Sequence, residues 1–145
     1  MAHYETSVTT PLSPADAFAK MADMTNFAKW DPGVQSAKQV SGSEPGLNAA
    51  YELVVDGVGP APDLPLRYVV EEFDAGRRFR ALAKAKFFYS DDIVSVTPDG
   101  TGSVVTYEAD LVLNGPFKIF DPLLKPIFNR IGDAAADGLK AFLNP

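Results

Sequence analysis

The chain has no cysteine, which excludes disulfides, a thiolate nucleophile and any thiolate metal site. Its single histidine, His3, leaves no histidine cluster for a metal, and a position so near the start reads as an exposed end residue rather than a general base. No serine sits in a G-x-S-x-G setting. A nucleophile–histidine triad is therefore not expected. Positive charge is scarce as well: 13 Lys and Arg against 19 Asp and Glu give a net charge of −6, which on average repels a phosphate backbone or an anionic membrane surface. No nucleic-acid partner is expected. Long apolar runs are missing too; none approaches the ~20 residues a membrane-spanning helix requires, so no integral membrane association is expected. The opening "MAHYETSVTT" lacks the basic start and apolar core of a secretory signal, and the expectation is a cytoplasmic protein.

What the chain does have is aromatic residues: ten Phe, five Tyr and one Trp. They supply enough apolar area to fill a core or to line a cavity. At 145 residues the length is close to the commonest domain size, and residues 1–145 are expected to form one domain. A monomer is expected, with a weak dimer as the alternative.

The order of elements follows from periodicity and punctuation. "HYETSVTT" (3–10) alternates and is rich in β-branched residues, which predicts a first strand. "PLSPADAFAKMAD" places Ser13 as N-cap, Pro14 at the first helical position and Asp16 in the first turn. Ala17, Phe18, Met21 and Ala22 form the apolar stripe of that short helix. "MTNFAKWD" predicts a second helical turn capped by Thr25 or Asn26 and stopped by Pro32-Gly33. Strand-like runs then follow over 34–42, 48–57, 66–73 and 78–89. In the last of these Phe79, Ala81, Ala83, Ala85 and Phe87 share one face, and Arg78, Arg80, Lys84 and Lys86 share the other with Leu82. "DDIVSVTPDGTGSVVTYEADLVL" reads as a hairpin turning at Pro98–Gly102, with Val105, Tyr107, Ala109, Leu111 and Leu113 on one face of its second arm. After Gly115-Pro116 the period changes to three and four. Phe117, Phe120, Leu124, Ile127, Ile131, Ala134, Gly138 and Phe142 define a helical stripe. Pro122 and Pro126 predict a bend or restart before the regular part, about 127–143.

The fold class is thus α+β: a curved antiparallel sheet of about seven strands wrapped on a long C-terminal helix, with two short helices between strands 1 and 2. The helix is the only long element available to bury the sheet's apolar face. A strongly curved sheet does not lie flush on a straight helix. The small residues on both sides (Ala81, Ala83, Ala85; Ala134–Ala136, Gly138) either permit close packing or leave a cavity.

Four stretches in this order carry a resemblance over essentially the whole chain. They are Ser13-Pro14-Ala15 running to Phe18, Trp30-Asp31-Pro32-Gly33-Val34, the Pro98–Gly102 hairpin, and Gly115-Pro116 before a terminal helix closing on "GLKAFL". Together they resemble the START-related helix-grip superfamily, in its polyketide cyclase/dehydrase and lipid-transfer branch. The resemblance implies a deep, largely apolar pocket between sheet and terminal helix that takes lipids, polyketides, sterols or other hydrophobic small molecules. It also implies a mouth near "GVGPAPDLP" (57–65) and the Pro122–Pro126 region.

The function expected is therefore binding, transport or sequestration of a hydrophobic small molecule. A polyketide cyclase/dehydrase-type enzyme and a protein-interaction module with a filled core are the alternatives. Ligand-pocket candidates are Trp30, Tyr51, Tyr68, Phe79, Phe87, Tyr107, Phe120, Leu124, Ile127 and Ile131. Tyr51, Tyr68 and Tyr107 lie on apolar strand faces, where a phenol buries its ring and offers a hydroxyl either to a ligand oxygen or to water and backbone at the edge of the core. Arg67, Arg80 and Glu72 are weaker candidates. Of the carboxylate pairs Glu71-Glu72 and Asp91-Asp92, adjacent strand residues point to opposite faces, so at most one of each pair enters a pocket, and solvated surface is the reading favoured for both. Trp30 reads as an anchor for the helix pair and as a pocket wall. Nothing has the ligand spacing of a calcium loop; no metal and no cofactor are expected.

Overall fold

The computed structural model describes residues 1–145. Seven strands form one antiparallel sheet: β1 (Ala2–Thr10), β2 (Val34–Ser41), β3 (Ala50–Val55), β4 (Leu64–Asp74), β5 (Arg78–Lys84), β6 (Phe88–Asp99) and β7 (Gly102–Leu113). Their spatial order is β1-β7-β6-β5-β4-β3-β2. Each strand from β2 to β6 pairs with its successor, which short turns suffice to achieve. The β6–β7 turn is a two-residue one, with Asp99 opposite Gly102 and Gly100 at φ 61°, a left-handed conformation glycine adopts without steric cost.

Because β1 and β2 lie at opposite edges of the sheet, residues 11–33 must cross it. They do so as α1 (Pro14–Ala22), a 3₁₀ turn (Met24–Asn26) and α2 (Phe27–Trp30). Ser13 caps α1, its hydroxyl accepting the Asp16 N–H at 3.2 Å, as the sequence predicts. Asn26 is the N-cap of α2, one of the two residues expected there, although its side chain makes no capping hydrogen bond; the 3₁₀ turn before it is capped by Asp23, which accepts the Thr25 N–H at 3.1 Å. An aspartate that already ends α1 serves both elements. This crossing buries Ala17, Phe18, Met21, Met24, Phe27 and Trp30 against one half of the concave face.

The chain ends in α3 (Asp121–Leu143), preceded by a 3₁₀ segment over Gly115–Phe120. Pro122 and Pro126 do not delay the helix to residue 127. Pro122 lies in the first turn, where its missing N–H has no intrahelical role, and Pro126 follows only one turn later, so the helix is continuous. Its inward stripe also differs from the expected one. Ala135, Leu139 and Leu143 are buried, whereas Ala134 is exposed. The stripe read from Ile131 onward is one residue out of phase, because its small residues fit a period of three and four in either phase. α3 packs against β1 and α2, and glycine sets its approach. A Cβ on Gly138 would lie 1.8 Å from the Trp30 carbonyl oxygen, and one on Gly132 would lie 2.3 Å from the Tyr4 ring. The small residues therefore do pack closely, at these two points.

One further reading is corrected. The run 78–89 is not one strand: β5 stops at Lys84, Ala85 donates its N–H to the Phe88 carbonyl at 2.8 Å, and Phe87 sits in the turn. Phe87, Phe88 and Tyr89 all favour strands, and no glycine or proline marks the reversal. In β4, pairing steps from Val70–Ala81 to Glu72–Arg80, so Glu71 is an extra residue and the strand bulges. Glu72 would otherwise follow Leu66, Tyr68 and Val70 inward. The bulge turns both glutamates to solvent and brings Phe73 in against Phe18, with ring centroids 5.4 Å apart.

Candidate functional site

Between the concave sheet and the first half of α3 lies a cavity of about 600 Å³, with 20 hydrophobic residues among its 28 lining residues. That volume lies within the range of small-molecule pockets. Its floor comes from inward residues of β3, β4, β6 and β7, among them Leu53, Leu66, Tyr68, Ser90, Asp92, Tyr107, Ala109 and Leu111. Leu124, Ile127, Phe128, Ile131, Gly132 and Ala135 of α3 form its roof. The β3–β4 loop contributes Gly57, Val58, Ala61 and Pro62. Val58, Ile127 and Ile131 are at least one-third exposed, so the cavity opens between this loop and α3.

Of the ten candidates from the sequence, Tyr68, Tyr107, Leu124, Ile127 and Ile131 line the cavity. Trp30, Tyr51, Phe79, Phe87 and Phe120 do not. Tyr51 and Phe79 belong to the filled core. Trp30 stands behind the cavity wall, edge-on to the Tyr107 ring at 5.3 Å and against Phe27 at 4.7 Å. Phe87 rests on Phe117 at 4.6 Å, and Phe120 is about half exposed beside Ile119 and Leu123. Arg67 faces solvent. Arg80 turns outward to Glu72 at 3.1 Å and Asp91 at 2.8 Å.

The polar end of the cavity is where the sequence reading fell short. Asp92 is not solvated surface: it is 3 % exposed and accepts hydrogen bonds from Tyr107 Oη at 2.7 Å and Ser90 Oγ at 3.2 Å. Tyr68 Oη in turn donates to Ser90 Oγ at 3.0 Å. Burial pushes the Asp92 carboxyl up to about 7, against the lowering effect of the Tyr107 and Ser90 hydroxyls; nearby Asp31 and Asp91 add to the rise. Burial and the Asp92 charge hold both phenols well above their ordinary value. Asp31, at the α2–β2 junction, also lines the cavity, and burial raises its carboxyl although its Oδ1 accepts the Gly33 N–H at 2.9 Å. At the edge of α3, Tyr4 Oη donates to Asp133 at 2.7 Å, and burial pushes this phenol up to about 12. A signal for Asp92 was present in the alternation of β6. Ser90, Asp92, Val94 and Val96 share a face, and the valines are core residues. Its cross-strand partners are Ala81 and Ala109, whose small side chains leave the carboxyl room.

The family model described as polyketide cyclase / dehydrase and lipid transport matches residues 1–143. The chain belongs to that family. A START superfamily protein from Mycobacterium smegmatis superposes with a TM-score of 0.77 at 13% identity, covering 99% of this chain and 97% of that one. A protein from Thermus thermophilus gives 0.68 at 20% identity over 97% and 94%. The di-domain ARO/CYC protein StfQ of the steffimycin biosynthetic pathway gives 0.69 at 13% identity; 98% of this chain covers 50% of that protein. At such identities the likeness is one of fold. No curated protein sequence matches this chain. Within the polyketide cyclase/dehydrase and lipid transport family, the fold's cavity is the feature this chain equips with a buried carboxyl and two phenols. No helix is long and apolar enough to cross a membrane.

Proposed function

We propose that the protein binds a hydrophobic small molecule in the cavity between the sheet and α3, as a monomeric single domain of the cytoplasm. The observation that carries this reading is the cavity of about 600 Å³ with its predominantly apolar lining. Burial of apolar ligand surface drives binding in such a site, and a few fixed polar groups orient the ligand. Tyr68, Tyr107, Leu124, Ile127 and Ile131 are the sequence-derived residues that contact the ligand; Asp92 and Ser90 join them. A filled core, which an interaction module would use, is at odds with this volume. Native mass spectrometry of the purified protein, with solvent extraction, is expected to reveal an apolar molecule, and the neutral dye Nile red is expected to bind with a blue shift. Leu111→Trp, which places bulk in the cavity, is expected to abolish the dye signal. Absence of both a copurifying molecule and dye binding overturns the reading.

The Asp92–Tyr107 pair favours a second reading, catalysis of the cyclase or dehydrase kind. A carboxyl raised to about 7 exchanges protons readily near neutrality, and Tyr107 holds it at 2.7 Å. If a substrate is found, Asp92→Asn is expected to lower kcat with little change in KM; unchanged turnover removes Asp92 from that role.

A further inference from the structure

The polar end of the cavity has a direction. Tyr68 donates to Ser90, Ser90 donates to Asp92, and Tyr107 donates to Asp92. Every hydroxyl proton in this relay is committed to another protein oxygen, so what remains for a ligand is lone pairs: those of both phenols, of Ser90 and of the carboxylate. Charge points the same way. The only charged residues in the lining are Asp31, Asp56 and Asp92; no Lys, Arg or His is present there. The roof contributed by α3 carries no titratable group. The Gly33 N–H, a donor close to the site, is already taken by Asp31.

We infer that the ligand is an apolar molecule whose buried head is a hydrogen-bond donor, an amine above all, and that carboxylate and phosphate heads are excluded from this end. The inference rests on the proposed binding function and sharpens its ligand class. A carboxylate placed here would lose its hydration with no donor to replace it and would face like charge, whereas an ammonium replaces water with Asp92, Asp31 and the phenol oxygens. The neutral alcohol falls between the two. Because burial raises Asp92 to about 7, the carboxyl takes up a proton as the pH falls below neutrality, and preference for the amine weakens with it. The groups facing Asp92 in that titration are Asp31, Tyr68 and Tyr107, with Asp91 on the outer face of the same strand.

The test is displacement of Nile red by decylamine, decanol and decanoate, which share one chain and differ in the head. At about pH 8, where the amine is cationic, decanoate anionic and Asp92 mostly ionised, decylamine is expected to displace the dye at a concentration at least about tenfold below that of decanoate, the scale of a charged hydrogen bond. Asp92→Asn is expected to shrink that ratio to about threefold or less, while Asp91→Asn, on the outer face, keeps it. Lowering the pH of the wild-type protein to about 6, where the amine stays cationic and decanoate stays mostly anionic while Asp92 takes up its proton, is expected to shrink it as well. Decanoate equal to or better than decylamine overturns the inference and leaves the binding function standing. A ratio indifferent both to Asp92→Asn and to pH overturns the role of the Asp92 relay. Failure of Nile red to bind, together with the absence of any copurifying apolar molecule, overturns the binding function itself.

Discussion

The two halves of the concave face are built from similar residues and end differently. At the closed half, residues 11–33 cross the sheet and fill it with Phe18, Met21, Met24, Phe27 and Trp30, and the second half of α3 adds Leu139 and Leu143, both without exposure. The helix is also fastened there: Thr10 Oγ1 donates to the Leu143 carbonyl at 2.6 Å and Lys20 Nζ to the Phe142 carbonyl at 3.3 Å. At the open half no segment crosses, and the first half of α3 spans the gap with Leu124, Ile127 and Ile131 over the cavity. The difference teaches that the cavity is no accident of loose packing. It is the part of the grip that the single β1–β2 crossing walls with Phe27, Asp31 and Gly33 but does not fill, while Gly138 brings α3 against α2 at one end and the curving sheet falls away at the other.

Removing a closed-half anchor should have the largest effect. Trp30→Ala is expected to cost about 3–5 kcal/mol in urea denaturation, since Trp30 is 2 % exposed and braces Phe27 and Tyr107. Near-wild-type stability would mean that the closed half does not depend on it. The same truncation made on both halves of α3 sharpens the contrast. Leu139→Ala is expected to cost ~2–5 kcal/mol, with lost contacts and a new void. Leu124→Ala, facing a cavity that already exists, is expected to cost about 1 kcal/mol or less. Equal costs would erase the distinction between the halves.

Next in size is a pH effect confined to the open half. The folded state keeps a proton on Asp92 up to about 7, whereas the ordinary value is 3.8. Between those two values the folded chain binds more protons than the unfolded one, so stability is greatest at the acid end and falls as pH rises through the window. Denaturation midpoints across pH are expected to show this fall, and Asp92→Asn to remove most of it, with raised Asp31 leaving a residue of the same sign. A wild-type midpoint that rises over the window contradicts the burial of the charge. The smallest effect belongs to the neighbouring carboxylate. Asp91→Asn breaks an outward pairing with Arg80 and is expected to cost about 1 kcal/mol or less, with dye binding unchanged.

Much of the fold was legible in local signals. Ser13 and Pro14 mark a helix start wherever they meet an apolar stripe, the β6–β7 turn announces itself in Asp99-Gly100, and the alternation of Phe79, Ala81 and Ala83 survives in β5. Local signals failed where a neighbour decided. The bulge at Glu71 reversed the phase of Glu72, and the turn at Phe87 had no punctuation residue. Pro126 was tolerated because it falls near the start of α3 rather than in its middle. The helix stripe lost phase beyond Ile131 because an alanine-rich face has no large residue to fix which side is buried.

By itself, then, the sequence determined the α+β class, the order of elements, the long terminal helix and the presence of an aromatic-rich interior, because hydrophobic period and turn chemistry act over a few residues. Only the tertiary structure decided that Trp30, read as an anchor, stands behind the cavity wall rather than in it, that Tyr51 and Phe79 fill the core, and that Asp92 is a cavity carboxyl. Those outcomes depend on which strands are neighbours and how far the helix stands from the sheet, distances set by residues remote in the chain: Ala81 and Ala109 beside Asp92, and Gly138 against Trp30.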